Sequence, residues 1–339
     1  MKKTTLKELA QILNLSVSTI SKALNDSIEI PKKTKIKVRK TADEYGYVPN
    51  YLARSLKLGV KQKTIGLVIP NVTGGFFAKV LHGIEKEAST YGYKVFVCIT
   101  DDKHIKEKES LQSLIKDNVD GILISFAEET QRKNKTSYIE NFFNHNLPIV
   151  QFDRVYDKLV GDKITINDFD SAYTATEYLI ETGCKKIGFI TTISKTSIGE
   201  LRKEGYLIAI KLNGHSHDGF IFNIENYDGL KKMLKKAICE HQIDAFLITD
   251  ELSAFCTLNT IQALGYKVPN DVSIIGFTNG YLTRYSNPSI TTVCHQASNM
   301  GSTAANILIS RIESKNIESP SHTIIKTKLT IGNSTKKLI

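Results

Sequence analysis

Thr5-Leu6-Lys7-Glu8-Leu9-Ala10-Gln11-Ile12-Leu13-Asn14-Leu15-Ser16-Val17-Ser18-Thr19-Ile20-Ser21-Lys22-Ala23-Leu24-Asn25 reads as two short helices joined by a tight turn. The Thr5 hydroxyl can accept from a free N–H of a first turn, and Glu8 three residues on completes a capping-box pattern. Leu6, Leu9, Ala10 and Leu13 recur at i, i+3, i+4 and i+7, one apolar face. Asn14 tolerates the left-handed backbone that ends such a helix. Leu15 anchors the turn and Ser16 caps a second helix running to about Leu24. There Ile20, Ala23 and Leu24 share the inward face, and Val17, Ser18, Ser21 and Lys22 fall on the opposite one. The small Ala10 lets the two helices approach closely.

A third helix is expected after Pro31, with Val38, Ala42 and Tyr45 inward and Lys32, Lys33, Lys35, Lys37, Arg39 and Lys40 clustered around it. This is a helix-turn-helix layout, in which the second helix enters the major groove of DNA. Charge placement agrees. The 339 residues hold 45 Lys+Arg and 35 Asp+Glu, a formal net charge of +10. Residues 1–63 hold 14 and 5 of these, and the remainder 31 and 30. A small basic module on a near-neutral body points to a polyanion-binding headpiece joined to a sensing or catalytic domain.

Two runs of the helix-turn-helix stretch, 5–10 and 15–25, together with Tyr45-Gly46-Tyr47-Val48-Pro49-Asn50-Tyr51-Leu52-Ala53-Arg54-Ser55-Leu56, closely resemble the headpiece of the lactose-repressor (LacI/GalR) family of transcription regulators, in spacing and order. The resemblance implies that Val17, Ser18 and Lys22 read base edges. Lysine suits guanine acceptors, serine serves several bases, and valine can touch a thymine methyl. It also implies that Thr5, Ser16, Thr19, Ser21, Asn25 and Thr34 hold phosphates and set register. The family usually has glycine at the turn, where this chain has Asn14. Asn50 can cap a helix of about nine residues, too short to be stable alone in water. In the family this segment is a hinge helix that folds on DNA, pairs with its twin in the dimer and inserts a leucine into the minor groove. Asn50, Ala53, Arg54 and Leu56 match it, with Leu56 at the wedge position and Ala53 at the helix crossing.

From Lys63 the composition changes. Strands are expected at 64–70, 94–99, 121–125 and 148–152, with helices at about 75–91 and 105–118. The pattern restarts at Lys185, with strands at 185–190, 219–222, 245–248 and 272–276 and helices at about 199–212, 227–241 and 251–264. Alternation of this kind implies parallel sheets covered on both faces. The expected fold is an all-α helix-turn-helix headpiece plus an α/β body of two doubly wound parallel-sheet lobes, like a periplasmic binding protein. The headpiece spans 1–48 and the hinge and linker 49–62. The effector-binding and dimerisation body spans 63–339, its lobes being 63–162 plus 293–322 and 163–292 plus 323–339. The resemblance to the family, and to periplasmic sugar-binding proteins, extends over this body through 268–277 and 288–293, and implies three crossings between lobes, near 162, 293 and 322.

Ligands of such sheets bind beyond the carboxyl ends of the strands. Phe76 and Phe77 follow the first strand and match the family's aromatic ligand contacts, with core packing as the competing role. Asp153-Arg154 follows the fourth strand. Arg202, within Arg202-Lys203-Glu204-Gly205-Tyr206, matches a family arginine that clamps ligand hydroxyls or carboxylates. Asp250 matches an acidic position near the ligand, with helix capping as its alternative. At the end of the late strand the family commonly has aspartate, and here Gly276-Phe277 is followed by Thr278-Asn279. Thr278 stands in the effector set as a neutral donor and acceptor.

The expected function is a sequence-specific DNA-binding repressor acting as a homodimer on a palindromic double-stranded operator, its affinity controlled by a small-molecule effector, a sugar or sugar derivative. The alternative is a small-molecule binding protein or enzyme on the same body, with the basic module serving non-specific polyanion binding. No phosphate-binding Gly-x-x-x-x-Gly-Lys-Ser/Thr, Gly-x-Gly-x-x-Gly, His-Glu-x-x-His or Gly-x-Ser-x-Gly occurs, so no catalytic residue and no cofactor is expected. His215 and His217 sit beside Gly214, Asp218 and Gly219, where a turn is expected and a solvated loop outweighs a metal site. The five cysteines contain no Cys-x-x-Cys and read as free thiols. No apolar run spans a bilayer, and the N-terminus lacks a signal-peptide core, so no membrane partner is expected and a cytoplasmic location is.

Overall fold

The computed structural model describes residues 4–47, 62–134, 138–139, 147–213, 219–224, 227–278, 280–314 and 319–338. The hinge positions Asn50, Ala53, Arg54 and Leu56, together with His215 and His217, lie outside the described residues. The chain forms two compact units, Met1–Gln62 and Lys63–Ile339.

The first unit holds three helices: α1 Leu6–Leu13, α2 Val17–Leu24 and α3 Lys32–Glu44. The capping box is made in full. The Glu8 N–H donates to Thr5 Oγ1 (3.2 Å), and the Thr5 N–H donates to Glu8 Oε2 (2.7 Å). Asn14 takes the left-handed conformation at φ 53°, ψ 42°. Ser16 Oγ accepts from the Thr19 N–H at 3.0 Å. Leu9, Ala10, Leu13, Ile20, Ala23, Val38 and Ala42 form the core. Tyr45 is not inward. It is exposed, because α3 ends at Glu44, and Tyr47 packs on the core instead. The chain turns between them at Gly46, whose φ of 60° favours glycine.

The second unit is built on two six-stranded sheets. The first has the order β11-β5-β4-β3-β1-β2, from β1 Thr64–Ile69, β2 Lys94–Ile99, β3 Gly121–Ile124, β4 Ile149–Phe152, β5 Asp162–Ile166 and β11 His322–Ile325. The second has the order β12-β10-β9-β8-β6-β7, from β6 Ile187–Thr191, β7 Phe220–Asn223, β8 Ala245–Ile248, β9 Ser273–Phe277, β10 Thr291–Cys294 and β12 Lys328–Thr330. All pairings are parallel except that of β12 with β10. The crossover helices are α4 Gly75–Thr90, α5 His104–Lys116, α6 Glu128–Lys133, α7 Asp168–Glu181, α8 Ser197–Leu212, α9 Leu230–Cys239, α10 Glu251–Ala263, α11 Tyr281–Arg284 and α12 Ala297–Glu313. Separate apolar cores lie between sheets and helices on each side.

Sheet membership corrects the expected lobe limits. β5 lies wholly in the first sheet, so residues 163–166 belong there. β10 completes the second sheet, so 293–294 belong to that one. β11 pairs with β5, so 323–325 return to the first. In each case the strand runs to its end before the chain leaves, since an unfinished ladder would strand backbone groups without partners. The crossings fall between Ile166 and Asp168, Cys294 and Ala297, and Ile325 and Lys328. They are tied together: the Thr327 N–H donates to Asn167 Oδ1 (3.0 Å), and the Gln296 amide donates to the Lys326 carbonyl. At the other edge of the first sheet, β2 leaves Phe96 exposed on one face and Val97 and Ile99 on the other, so this edge strand is not covered on both faces as expected. No helix among the described residues is long and apolar enough to cross a membrane.

Candidate functional site

The two parallel sheets present the carboxyl ends of their central strands to one cleft, a cavity of about 460 Å³. All seven residues expected to meet the effector line it: Phe76, Phe77, Asp153, Arg154, Arg202, Asp250 and Thr278. Asp153, Arg154 and Thr278 follow strands, and Phe76, Phe77 and Asp250 open helices, as the position of ligand sites on such sheets requires, while Arg202 reaches the cavity from the middle of α8.

Asp153 leaves β4 in left-handed backbone (φ 58°), its N–H donating to the Ile164 carbonyl of β5 at 2.9 Å. Ser125 Oγ, beyond β3, reaches its Oδ2 at 3.4 Å. Burial pushes the Asp153 carboxyl up to about 6; Arg154 and Arg202 draw it down, while Asp168 raises it further. Arg154 pairs with Asp102 through Nη1 and lies 6.0 Å from the Phe77 ring centre. Its Nε is buried with no hydrogen-bond partner.

Arg202, 3% exposed, is held on three sides. Nε donates to Asp168 Oδ1 (2.7 Å), Nη1 donates to the Thr249 carbonyl (2.9 Å), and Cζ stacks 4.3 Å over the Phe277 ring. Burial raises the Asp168 carboxyl, against the pull of Arg202. Gly205, one turn along α8, brings the helices together: a Cβ there would run into the Phe169 carbonyl oxygen of α7. Arg202 is thus no surface arginine.

Asp250 caps α10. Its Oδ1 accepts from the Ser253 N–H (2.9 Å), and its Oδ2 from Ser253 Oγ (2.6 Å) and Thr192 Oγ1 (3.0 Å). The capping role is therefore real, and it fixes the carboxylate at the cavity wall. Thr278 Oγ1 accepts from the Gly280 N–H at 2.8 Å. Phe77 belongs to the first lobe's core as well as to the cavity, whereas Phe76 is only partly buried. Phe76 meets Phe77 edge-on at 5.0 Å and His295 at 5.3 Å.

The sequence reading missed Tyr227, Phe277 and His295 among the residues that line the cavity, and Asp168, which holds Arg202. His295 stands one residue beyond β10, a strand the sequence reading did not mark, so the rule of strand ends had nothing to select it by. Burial holds its imidazole well below the usual histidine range, helped by Arg202 and Lys79, so it is neutral. Among the described residues no cluster of His, Cys, Asp and Glu is arranged to hold a metal.

On the headpiece, Val17, Ser18 and Lys22 are exposed along one side of α2. Of the expected phosphate contacts, Thr5, Ser16 and Asn25 are exposed and Thr19, Ser21 and Thr34 partly so. The Ser16 hydroxyl also caps α2, and Thr5 caps α1.

Residues 5–50 match the bacterial regulatory proteins of the lacI family, and residues 176–335 match the periplasmic binding protein-like domain. The chain is 31% identical to the HTH-type transcriptional repressor PurR of Pasteurella multocida over 320 residues, 93% of each protein. It is 30% identical to the ribose operon repressor of Haemophilus influenzae over 321 residues, 92% of this chain and 93% of that one. In fold it is similar to the lac repressor dimer bound to operator and the anti-inducer ONPF, with a TM-score of 0.83 at 18% identity over 99% of this chain and 100% of that one. Headpiece, twin sheets and full-length relatives agree: the chain belongs to the lacI family of bacterial regulatory proteins.

Proposed function

We propose that this lacI-family regulator represses transcription as a homodimer on a palindromic operator, and that a polyhydroxylated effector, a sugar or sugar derivative, bound between the sheets sets its affinity for DNA. The observation that carries the effector reading is the convergence on one cavity of seven residues from strand ends, helix starts and the middle of α8. Its chemistry suits a polyol. Asp153 offers acceptor capacity, Arg154 a guanidinium, Thr278 a hydroxyl and Phe76 an apolar ring face. The volume lies in the range of small-molecule sites, roughly 300–1,000 Å³.

On the headpiece, Val17, Ser18 and Lys22 read bases, while Thr5, Ser16, Thr19, Ser21, Asn25 and Thr34 contact phosphates. Asn50, Ala53, Arg54 and Leu56 form a hinge that completes itself on DNA, with Leu56 as the minor-groove wedge. Phe96, Val97 and Ile99 on the β2 edge support a dimer, since an exposed apolar edge strand calls for a cover. The protein acts in the cytoplasm and performs no catalysis. The effector shifts DNA affinity only through its different affinities for the two arrangements of the dimer.

A thermal-shift screen of sugars, followed by operator titration with each hit, tests this reading. A bound sugar raises the melting temperature and changes operator affinity, and Arg202→Ala loses that response while still binding operator. No hit among sugars and their derivatives would refute the effector class. Salt-insensitive binding to duplex DNA would refute the headpiece reading.

A further inference from the structure

The headpiece carries an ion pair that neither its core nor its basic charge calls for. Lys22 Nζ, on the outer side of α2, is joined to Glu29 Oε2 in the loop between α2 and α3, and the two side chains are 50% and 67% exposed. An exposed pair of this kind adds little to stability. The loop is anchored without it. Asp26 takes Lys35 (3.1 Å) and Arg39 (3.2 Å), the Ser27 N–H donates to the Lys22 carbonyl (3.0 Å), and Ile30 packs on the core. These anchors hold Glu29 beside the lysine at the surface that carries Val17 and Ser18. A carboxylate there opposes phosphate binding, so its place needs another reason.

We propose that Lys22 and Glu29 read one operator base pair together, as an adjacent donor and acceptor facing a G·C pair in the major groove. This rests on the DNA-binding reading of the headpiece. Guanine presents N7 and O6 acceptors, and beside them the paired cytosine presents its N4 amino donor. The ammonium donates to guanine, and the carboxylate accepts from cytosine. With T·A in the same orientation the central acceptor and donor survive, but a thymine methyl replaces N7. With C·G or A·T the order is reversed, so the ammonium meets an amino group and the carboxylate an acceptor. The base preference is therefore G·C, then T·A, with C·G and A·T rejected. Lysine alone would tolerate A·T through adenine N7, so Glu29 is the residue that sharpens specificity.

The test uses the full-length protein. A duplex selected from a randomised library is varied through all four base pairs at each half-site position, and binding is measured for the wild type, Glu29→Ala, Glu29→Gln, Lys22→Ala and the double variant Lys22→Ala with Glu29→Ala. At one position the wild type shows the order above. Glu29→Ala binds non-specific duplex more tightly, and its discrimination against A·T and C·G at that position falls by about tenfold, with other positions unchanged. Glu29→Gln, which keeps an acceptor oxygen without the charge, falls between. Adding Glu29→Ala to Lys22→Ala changes that position little further, as two residues acting as a unit should. Circular dichroism confirms folding of each variant. Unchanged base preferences in both Glu29 variants overturn the proposal. Failure of the wild type to select any duplex overturns the DNA-binding reading, and this inference with it.

Discussion

Arg202 and Asp168 form a buried ion pair, each side chain 3% exposed, that joins the middle of α8 to the first turn of α7 at the floor of the cleft. The pair does more than neutralise two charges. Asp168 orients the guanidinium through Nε, Thr249 holds Nη1, and Phe277 supports the plane, so the donors not used internally are aimed by the fold. Removing one member leaves the other charged and unpaired, which costs about 3–5 kcal/mol, whereas replacing both by apolar groups of similar volume costs far less. Asp168→Ala is therefore expected to lower urea-denaturation stability by that amount. The double variant Arg202→Met with Asp168→Leu recovers most of it, yet no longer responds to effector. Equal losses in single and double variants would show that the pair is not coupled.

Gly205 tests the same relationship through the backbone. A methyl at this position meets the Phe169 carbonyl, so α8 must move away from α7. Overpacking of this kind costs about 1–3 kcal/mol, and here it also draws Arg202 off Asp168. Gly205→Ala should keep operator binding and lose the effector-dependent change in operator affinity. A retained effector response, measured by operator titration, contradicts the claim that this close approach positions Arg202.

The first two helices of the headpiece were legible residue by residue, because their signals are local: a capping box, a left-handed asparagine and an i, i+3, i+4, i+7 stripe each act within one or two turns. The cleft was legible where a strand end announces itself by a long apolar run, as before Asp153 and Thr278. It was illegible where pairing is set by distant chain. β5 is only Asp162–Ile166, with alternate residues part-exposed, and it forms because β4 and β11 flank it. Missing β5 shifted the first crossing and hid Asp168, which sits just past it. Tyr45 and Tyr47 differ only in where α3 stops, a boundary that helix periodicity does not determine.

Asp153 gives a pH signature. Its folded value of about 6 lies above its unfolded value of 3.8, so between these the folded state holds a proton that the unfolded chain has released. The contribution of this group to stability therefore falls as pH rises through that window, and at pH 7 ionised Asp153 costs on the order of 3 kcal/mol. Asp153→Asn, which suits the left-handed backbone, removes the cost. The variant should exceed the wild type in stability at pH 7, with the advantage shrinking towards pH 4.5. Arg154, Arg202 and Asp168 face the group in both proteins, so the difference isolates Asp153. A pH-independent difference would place its carboxyl in the ordinary range.

His295 carries the opposite sign. Its folded value is depressed by burial and by Arg202 and Lys79. As pH drops through the unfolded value of 6.5 the unfolded chain takes up a proton and the folded one does not, so stability is lost on the acid side. His295→Gln, which keeps a donor and an acceptor without titrating, should flatten the acid limb of the stability–pH curve. An unchanged limb would mean that the imidazole titrates in the folded protein.

The two adjacent phenylalanines separate packing from recognition. Phe77 is 6% exposed and sits among Ile65, Leu67, Val80 and Ile84 in the first lobe's core, while Phe76 is only partly buried, against His295. Truncating a buried phenylalanine costs about 3–5 kcal/mol, so Phe77→Ala should lower stability by that amount, and any weakening of effector binding should follow from loss of folded protein. Phe76→Ala keeps most of the core, so its stability loss should be smaller. It removes a ring face at the cavity, however, and the thermal shift given by a sugar hit should fall at every concentration. If the two variants lose stability equally, Phe76 is a core residue; if Phe76→Ala keeps the full thermal shift, the effector does not stack there.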